Sequence, residues 1–191
     1  MTPTGEKELL RRIKKDPQEF SYIYDEYYGP VFAYIFRRLG NYDLARDITA
    51  ETFLKAFQKI GNFEWRNIPI SAWLFRIATN EVNLSFRKAK YIPACIEEAG
   101  LFLSLPYEPG IETEKAALEK SLLETHEFNT VREQLLGLDI KYQEVIALRY
   151  FEEKSLKEIS VILGKKEGTV KSLLSRALQK LKTAVEKELN P

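Results

Sequence analysis

The stretch SLKEISVILG (155–164), KKEGT (165–169) and VKSLLSRALQKL (170–181) decides the fold class. Ser155 followed three residues later by Glu158 fits a capping box, in which the hydroxyl accepts from the third helical N–H and the glutamate reaches back. Leu156, Ile159, Ile162 and Leu163 then share one helical face, and Gly164 stands where a left-handed residue would end the helix. Thr169 can cap or open a second helix, whose apolar positions are Val170, Leu173, Leu174, Ala177, Leu178 and Leu181. Two short helices joined by a tight glycine-containing turn make a helix-turn-helix.

The other face of the second helix carries Lys171, Ser172, Ser175, Arg176 and Gln179. Short hydroxyls allow close approach to base edges, and Lys and Arg reach guanine acceptors or phosphates. Thr169 at the helix start suits a phosphate. The bland alternative is a helical hairpin with a solvated basic face.

Upstream, helical spacing predominates. Phe20 to Arg38 places Phe20, Ile23, Tyr24, Tyr27, Tyr28, Val31 and Ile35 at helical intervals, with Gly29-Pro30 allowing a break or kink. A second helix fits Asp43 to Ile60, with Leu44, Ile48, Phe53, Leu54 and Phe57 on or near one face. Phe63 to Ile70 has no sustained period and contains Pro69. Ser71 then reads as the N-cap of a helix running through Trp73, Leu74, Ile77 and Leu84 to about Lys90. Ile92 to Gly110, with three prolines and two glycines, is a linker by composition. Leu118, Leu122, Phe128, Val131 and Leu135 resume a helical period, and Lys141 to Phe151 is a further short helix with Val145, Ile146 and Leu148 inward. No alternating strand pattern emerges. The expected architecture is all-α, with two helical domains joined by a linker: 1–92, an acidic connection 93–112, and 113–191 carrying the helix-turn-helix.

Charge supports that division. The net charge of +1 over 191 residues conceals +4 in residues 1–92, −6 in 93–130 and +3 in 131–191. Sixteen of the 23 aromatic residues lie between Phe20 and Phe86, enough for a separate core. A lone cysteine, Cys95, excludes an intramolecular disulfide and any multi-thiolate metal site. No apolar run is long enough to span a bilayer and no secretory signal is visible, so a cytoplasmic protein without membrane insertion is expected. His126 has no nucleophile in a suggestive motif, and Glu97-Glu98 and Glu152-Glu153 read as solvated neighbours. No catalytic, metal or cofactor site is expected.

YQEVIALRYF (142–151), SLKEI (155–159) and GTVKS (168–172) together resemble region 4 of bacterial sigma factors of the extracytoplasmic-function (ECF) group. DITAETFLKAF (47–57) and WLFRIATN (73–80) resemble their region 2. The resemblance covers about residues 20–90 and 113–185, in order. It implies a promoter-specificity subunit that works with RNA polymerase core enzyme and promoter DNA, with an anti-sigma factor as a further candidate partner. It also implies that Asp47, Glu51, Thr52, Phe53 and Lys55 face the polymerase. Phe63, Trp65, Arg66, Asn67 and Ile68 would receive an unstacked base of the minus-10 element. Arg76, Asn80, Asn83, Arg87 and Lys88 would follow its strand, and Thr169, Lys171, Ser172, Ser175, Arg176 and Gln179 would read the minus-35 element. Trp73 is expected in the core. Ala50 and Asn83 depart from the residues frequent in the family.

The competing interpretation is a dimeric helix-turn-helix regulator that binds duplex DNA only. It needs the C-terminal block but not the aromatic, basic segment 63–88.

Overall fold

A computed structural model describes residues 3–64, 68–89, 131 and 133–189, and every regular element among them is helical. Helix α1 (Pro3–Lys15) buries Leu9, Leu10 and Ile13, and a short 3₁₀ turn at Pro17–Phe20 is capped by the Asp16 carboxylate, which accepts from Gln18 N–H at 3.0 Å. Helix α2 (Ser21–Leu39) is the centre of the first domain. Its run Val31–Phe36 is buried on every side, as expected of a helix enclosed by others rather than lying on a surface. It continues through Pro30 without a break, so Gly29-Pro30 marks no element boundary.

Gly40, at φ 63°, adopts the left-handed conformation and donates to the Phe36 carbonyl; Asn41 accepts from Leu44 N–H at 2.8 Å. That C-cap and N-cap in succession reverse the chain into α3 (Tyr42–Ile60). Helix α4 (Ile70–Ala89) packs on both α2 and α3. It begins one residue before Ser71, so Ser71 is not its N-cap. The carboxylate of Glu6, 4% exposed, accepts instead from Ile70 N–H at 3.3 Å.

In the second domain, α5 (Ile140–Ile146) passes into a π-helical turn (Ala147–Phe151). Val145, Ile146 and Leu148 are buried as expected. Helix α6 (Leu156–Leu163) opens on the Ser155/Glu158 capping box and stops at Gly164, φ 62°. Helix α7 (Glu167–Leu189) starts two residues before Thr169, which therefore lies within its first turn rather than capping it. Val170 and Ala177 are fully buried against α5 and α6, whereas Leu178 is 38% exposed. The linker 93–112, Cys95, His126, Leu118, Leu122 and Phe128 lie outside the described residues.

Candidate nucleic-acid interface

Where α3 ends, the chain turns through Gly61 and Asn62 to Phe63, whose N–H donates to Ile60 O at 3.0 Å. The Phe63 and Trp73 rings meet at 4.7 Å between centroids. With Lys59, Asn62 and Glu64 they line an open pocket of 520 Å³. Trp73 is thus half-buried at a pocket wall, not sealed in the core. A half-exposed aromatic pair beside amide and ammonium groups offers a planar base both a stacking face and hydrogen-bonding partners. Ile68 packs nearby on the core, while Trp65, Arg66 and Asn67 lie outside the described residues.

Helix α4 leads away from this pocket. Arg76, Asn80, Arg87 and Lys88 are exposed along the helix, and Arg87 Nε donates to Asn83 O at 3.3 Å. Asn83 differs: its amide donates to Glu144 at 3.2 Å and its oxygen accepts from Arg38 at 3.2 Å. On α7, Thr169, Lys171, Ser175, Arg176 and Gln179 are exposed and Ser172 is half-exposed. Ser172 donates back to the Thr169 carbonyl at 2.9 Å, a bond that holds its hydroxyl against the helix. The remaining side chains face solvent as one polar row.

On α3 the expected polymerase-facing residues separate into two groups. Asp47 and Glu51 are exposed. Thr52 is fully buried, its hydroxyl donating to the Ile48 carbonyl at 2.8 Å, and Phe53 is 3% exposed between Tyr24 and Tyr28. Phe53 is therefore core, not an exposed anchor. Lys55 is held between Glu51 and Glu81. Of the apolar residues that helical spacing places on or near one face, Leu54 (51%) and Phe57 (45%) are exposed.

Residues 23–91 match the family described as Sigma-70 region 2, and residues 128–181 match Sigma-70, region 4. The ECF RNA polymerase sigma factor SigW of Bacillus subtilis (strain 168) is 35% identical, over 92% of this chain and 94% of that protein. The chain belongs to the ECF group of sigma-70 factors. Two solved structures share the fold at lower identity. The sigma factor RpoE in complex with the anti-sigma factor NepR from Bartonella quintana gives a TM-score of 0.64 at 22% identity, covering 88% of this chain and 98% of that one. CnrH in complex with the cytosolic domain of CnrY gives 0.62 at 21% identity, covering 95% and 97%.

One feature of this sigma factor escaped the sequence. Glu152, paired with Glu153 as a solvated neighbour, is buried against Arg37 at 2.5 Å. The π turn and the left-handed backbone of Glu153 (φ 51°) turn Glu152 towards the first domain and bring Lys154 over the Phe75 ring at 4.7 Å. Nothing local to 147–154 signals a partner 115 residues away. Among the described residues no helix of the sigma factor is long and apolar enough to cross a membrane.

Proposed function

We propose that residues 1–92 bind RNA polymerase core enzyme and the minus-10 element, that 113–191 bind the minus-35 element, and that 93–112 tether the two. The chain itself is a promoter-recognition sigma factor, as its family membership states. The observation that carries this division is the Phe63/Trp73 pocket at the head of a helix whose outer face bears Arg76, Asn80, Arg87 and Lys88. Such a pocket serves an unstacked base and a single strand. A regulator restricted to duplex DNA has no use for it. The minus-35 reading rests on the polar row from Thr169 to Gln179, on a helix that follows a tight turn.

For the polymerase contact we assign Asp47 and Glu51 together with Leu54 and Phe57, since exposed apolar groups ringed by charge are the usual anchors of an interface. The chain acts in the cytoplasm as a binding subunit, not an enzyme. A sigma factor of the same fold, RpoE, is solved in complex with the anti-sigma factor NepR, which supports an anti-sigma protein as a partner here. Run-off transcription with purified core polymerase and genomic promoter fragments tests the reading. Initiation at defined promoters is expected, and failure to associate with core enzyme would overturn it.

A further inference from the structure

Helix α1 stands ahead of the residues that match Sigma-70 region 2, so the family match does not account for its charge. At about 100° per residue, Glu6, Leu9, Leu10 and Ile13 fall on one side of it, and all four are buried. Lys7, Arg11, Lys14 and Lys15 fall within about 100° of arc on the opposite side, and all four are exposed. Arg12 lies outside that stripe and is committed elsewhere, pairing with Glu19 and standing over the Tyr22 ring at 5.0 Å. The carboxylate at the edge of the stripe is Glu8. It meets Arg11 at 3.6 Å with both side chains well exposed, a pair that contributes little in water. Among the described residues Lys14 and Lys15 hold no ion pair.

The fold gives this stripe a neighbour. The Glu6 carboxylate accepts from Ile70 N–H, so the first turn of α1 abuts the start of α4, just ahead of Trp73 in the pocket wall. From there α1 packs on the 3₁₀ turn and on α3 rather than along α4. The stripe therefore leads away from the pocket on a different course from the row of Arg76, Asn80, Arg87 and Lys88. Its apolar face is used up inside the fold, which leaves no side to enter a lipid surface. What remains is a line of cations, the chemistry of a phosphate track. Lys7 to Lys15 spans about 12 Å, room for about three phosphates at 3.4 Å or more per nucleotide. Screening lengths are about 8 Å at physiological salt, so the far cations act only on a strand that lies beside them.

We infer that the exposed face of α1 is a phosphate-binding track for the DNA strand whose unstacked base enters the Phe63/Trp73 pocket, and that it carries this strand past the pocket on the side α4 does not serve. The inference rests on the promoter reading above. Phosphate contacts fix register and orientation without reading sequence. Helix α1 thus sets how firmly the strand is held, and leaves the choice of bases to the pocket and α4. With α4 on one side and α1 on the other, the strand is gripped on both flanks of the extruded base. Its return to the duplex then requires both sets of contacts to be lost.

The test uses the full chain with core polymerase and a promoter fragment premelted at minus-10. Arg11→Gln/Lys14→Gln/Lys15→Gln is compared with wild type and with Lys141→Gln/Lys182→Gln/Lys187→Gln, which removes equal charge from exposed positions of the second domain. Glutamine keeps helix propensity, so the melting temperature should hold. The track variant should bind the fragment at least about tenfold more weakly at low salt. Its slope of log affinity against log salt should fall by about 2, at about 0.7 per single-strand phosphate. Trimming the melted strand on one flank of the element should weaken wild type and control but not the track variant, whatever bases that flank carries. Glu8→Gln, which releases Arg11, should strengthen binding a few-fold. An unaltered slope in the track variant, or an equal penalty for trimming in variant and wild type, overturns the inference. So does a parallel loss of core affinity, which would make an acidic polymerase surface the partner. Wild type that gains nothing from premelting would instead overturn the promoter reading, and the salt slope on an unrelated single strand would still report the track.

Discussion

Glu144 Oε1 accepts hydrogen bonds from both Arg38 Nη1 and Asn83 Nδ2, so a single carboxylate oxygen of the second domain joins two helices of the first. Arg38 completes the arrangement by reaching Tyr34, whose hydroxyl shares a 2.8 Å bond with Thr79 and whose titration burial pushes up. Only a planar fork serves three acceptors in this geometry. Arg38→Lys should therefore leave at least one buried acceptor unpaired, at about 1–3 kcal/mol. At roughly 2–4 °C per kcal/mol for a chain of this size, calorimetry should record a melting temperature lower by several degrees. A melt within one degree of wild type would mean that the network adds nothing to stability.

The contact between the two domains through Arg37 and Glu152 should depend on pH. Burial pushes the Glu152 carboxyl up to about 7, against the attraction of Arg37 on α2 and of Lys154 on its own turn, and burial lowers Arg37 in the same contact. With the domains apart, Glu152 would return to its ordinary value of 4.5. Between these values the docked state holds a proton that the open state lacks. Contact therefore strengthens as pH falls from about 7 towards 4.5 and weakens as pH rises through 7. Scattering or interdomain energy transfer from pH 5 to 8 should show the molecule expanding, and Glu152→Gln should flatten the curve. A flat wild-type profile would show that Glu152 keeps one charge in both states.

Helix α1 should influence the Phe63/Trp73 pocket from a distance. Glu6 places its carboxylate at the start of α4, where backbone N–H groups and the helix dipole both favour an anion. It thereby ties α1 to the point where the 63–70 segment enters the helix. Glu6→Ala should cost about 1–2 kcal/mol. It should also slow promoter opening, followed by fluorescence of a base analogue in the minus-10 element, with core binding unaffected. Glu6→Gln keeps an acceptor and should recover part of the loss. Equal opening rates for all three chains would remove Glu6 from any role in the pocket.

The two phenylalanines of α3 should separate stability from partner binding. Phe53→Ala empties a site packed by Tyr24 and Tyr28 and should cost about 3–5 kcal/mol. Phe57, 45% exposed against Phe20, should cost far less stability when replaced by Ala. Phe57→Ala with Leu54→Ser should instead reduce core polymerase affinity by about tenfold or more. A solubility and binding series with the opposite order would return the interface to Phe53.

These residues also show what a sequence can reveal. The Ser155/Glu158 box and the left-handed Gly164 are satisfied by neighbours three to four positions away, so their chemistry is written locally. Phe53 and Phe57 lie one turn apart on α3, and helical period alone assigns them to the same face. Their fates diverge because α2 presents Tyr24 and Tyr28 to one of them, which is a tertiary fact. Glu152 is the extreme case. Its partner is 115 residues away, and its approach depends on a π turn that no side-chain pattern announces. Ser71 and Thr169 fall inside the first turns of their helices rather than at the caps for a related reason: the start of α4 is satisfied by Glu6 from another helix, and that of α7 follows the Lys166 carbonyl, which accepts from both Thr169 and Val170.

Lys171 and Arg176 are exposed, five residues apart on α7, and no hydrogen bond or ion pair holds either side chain among the described residues. Lys171→Ala with Arg176→Ala should therefore leave helicity, melting temperature and core polymerase affinity as they are. Binding to duplex DNA carrying the minus-35 element should fall by at least about tenfold. The salt dependence then separates two roles for the pair. If both side chains contact phosphates, the slope of log affinity against log salt falls by about 1.8, at 0.9 per neutralised phosphate, and every sequence is weakened alike. If Arg176 reads a guanine edge, the slope falls by about 0.9, and single Arg176→Ala relaxes preference at one base pair by about 1–3 kcal/mol. Parallel loss of DNA and core binding would point to a damaged fold. Unchanged minus-35 binding would remove this face of α7 from promoter recognition.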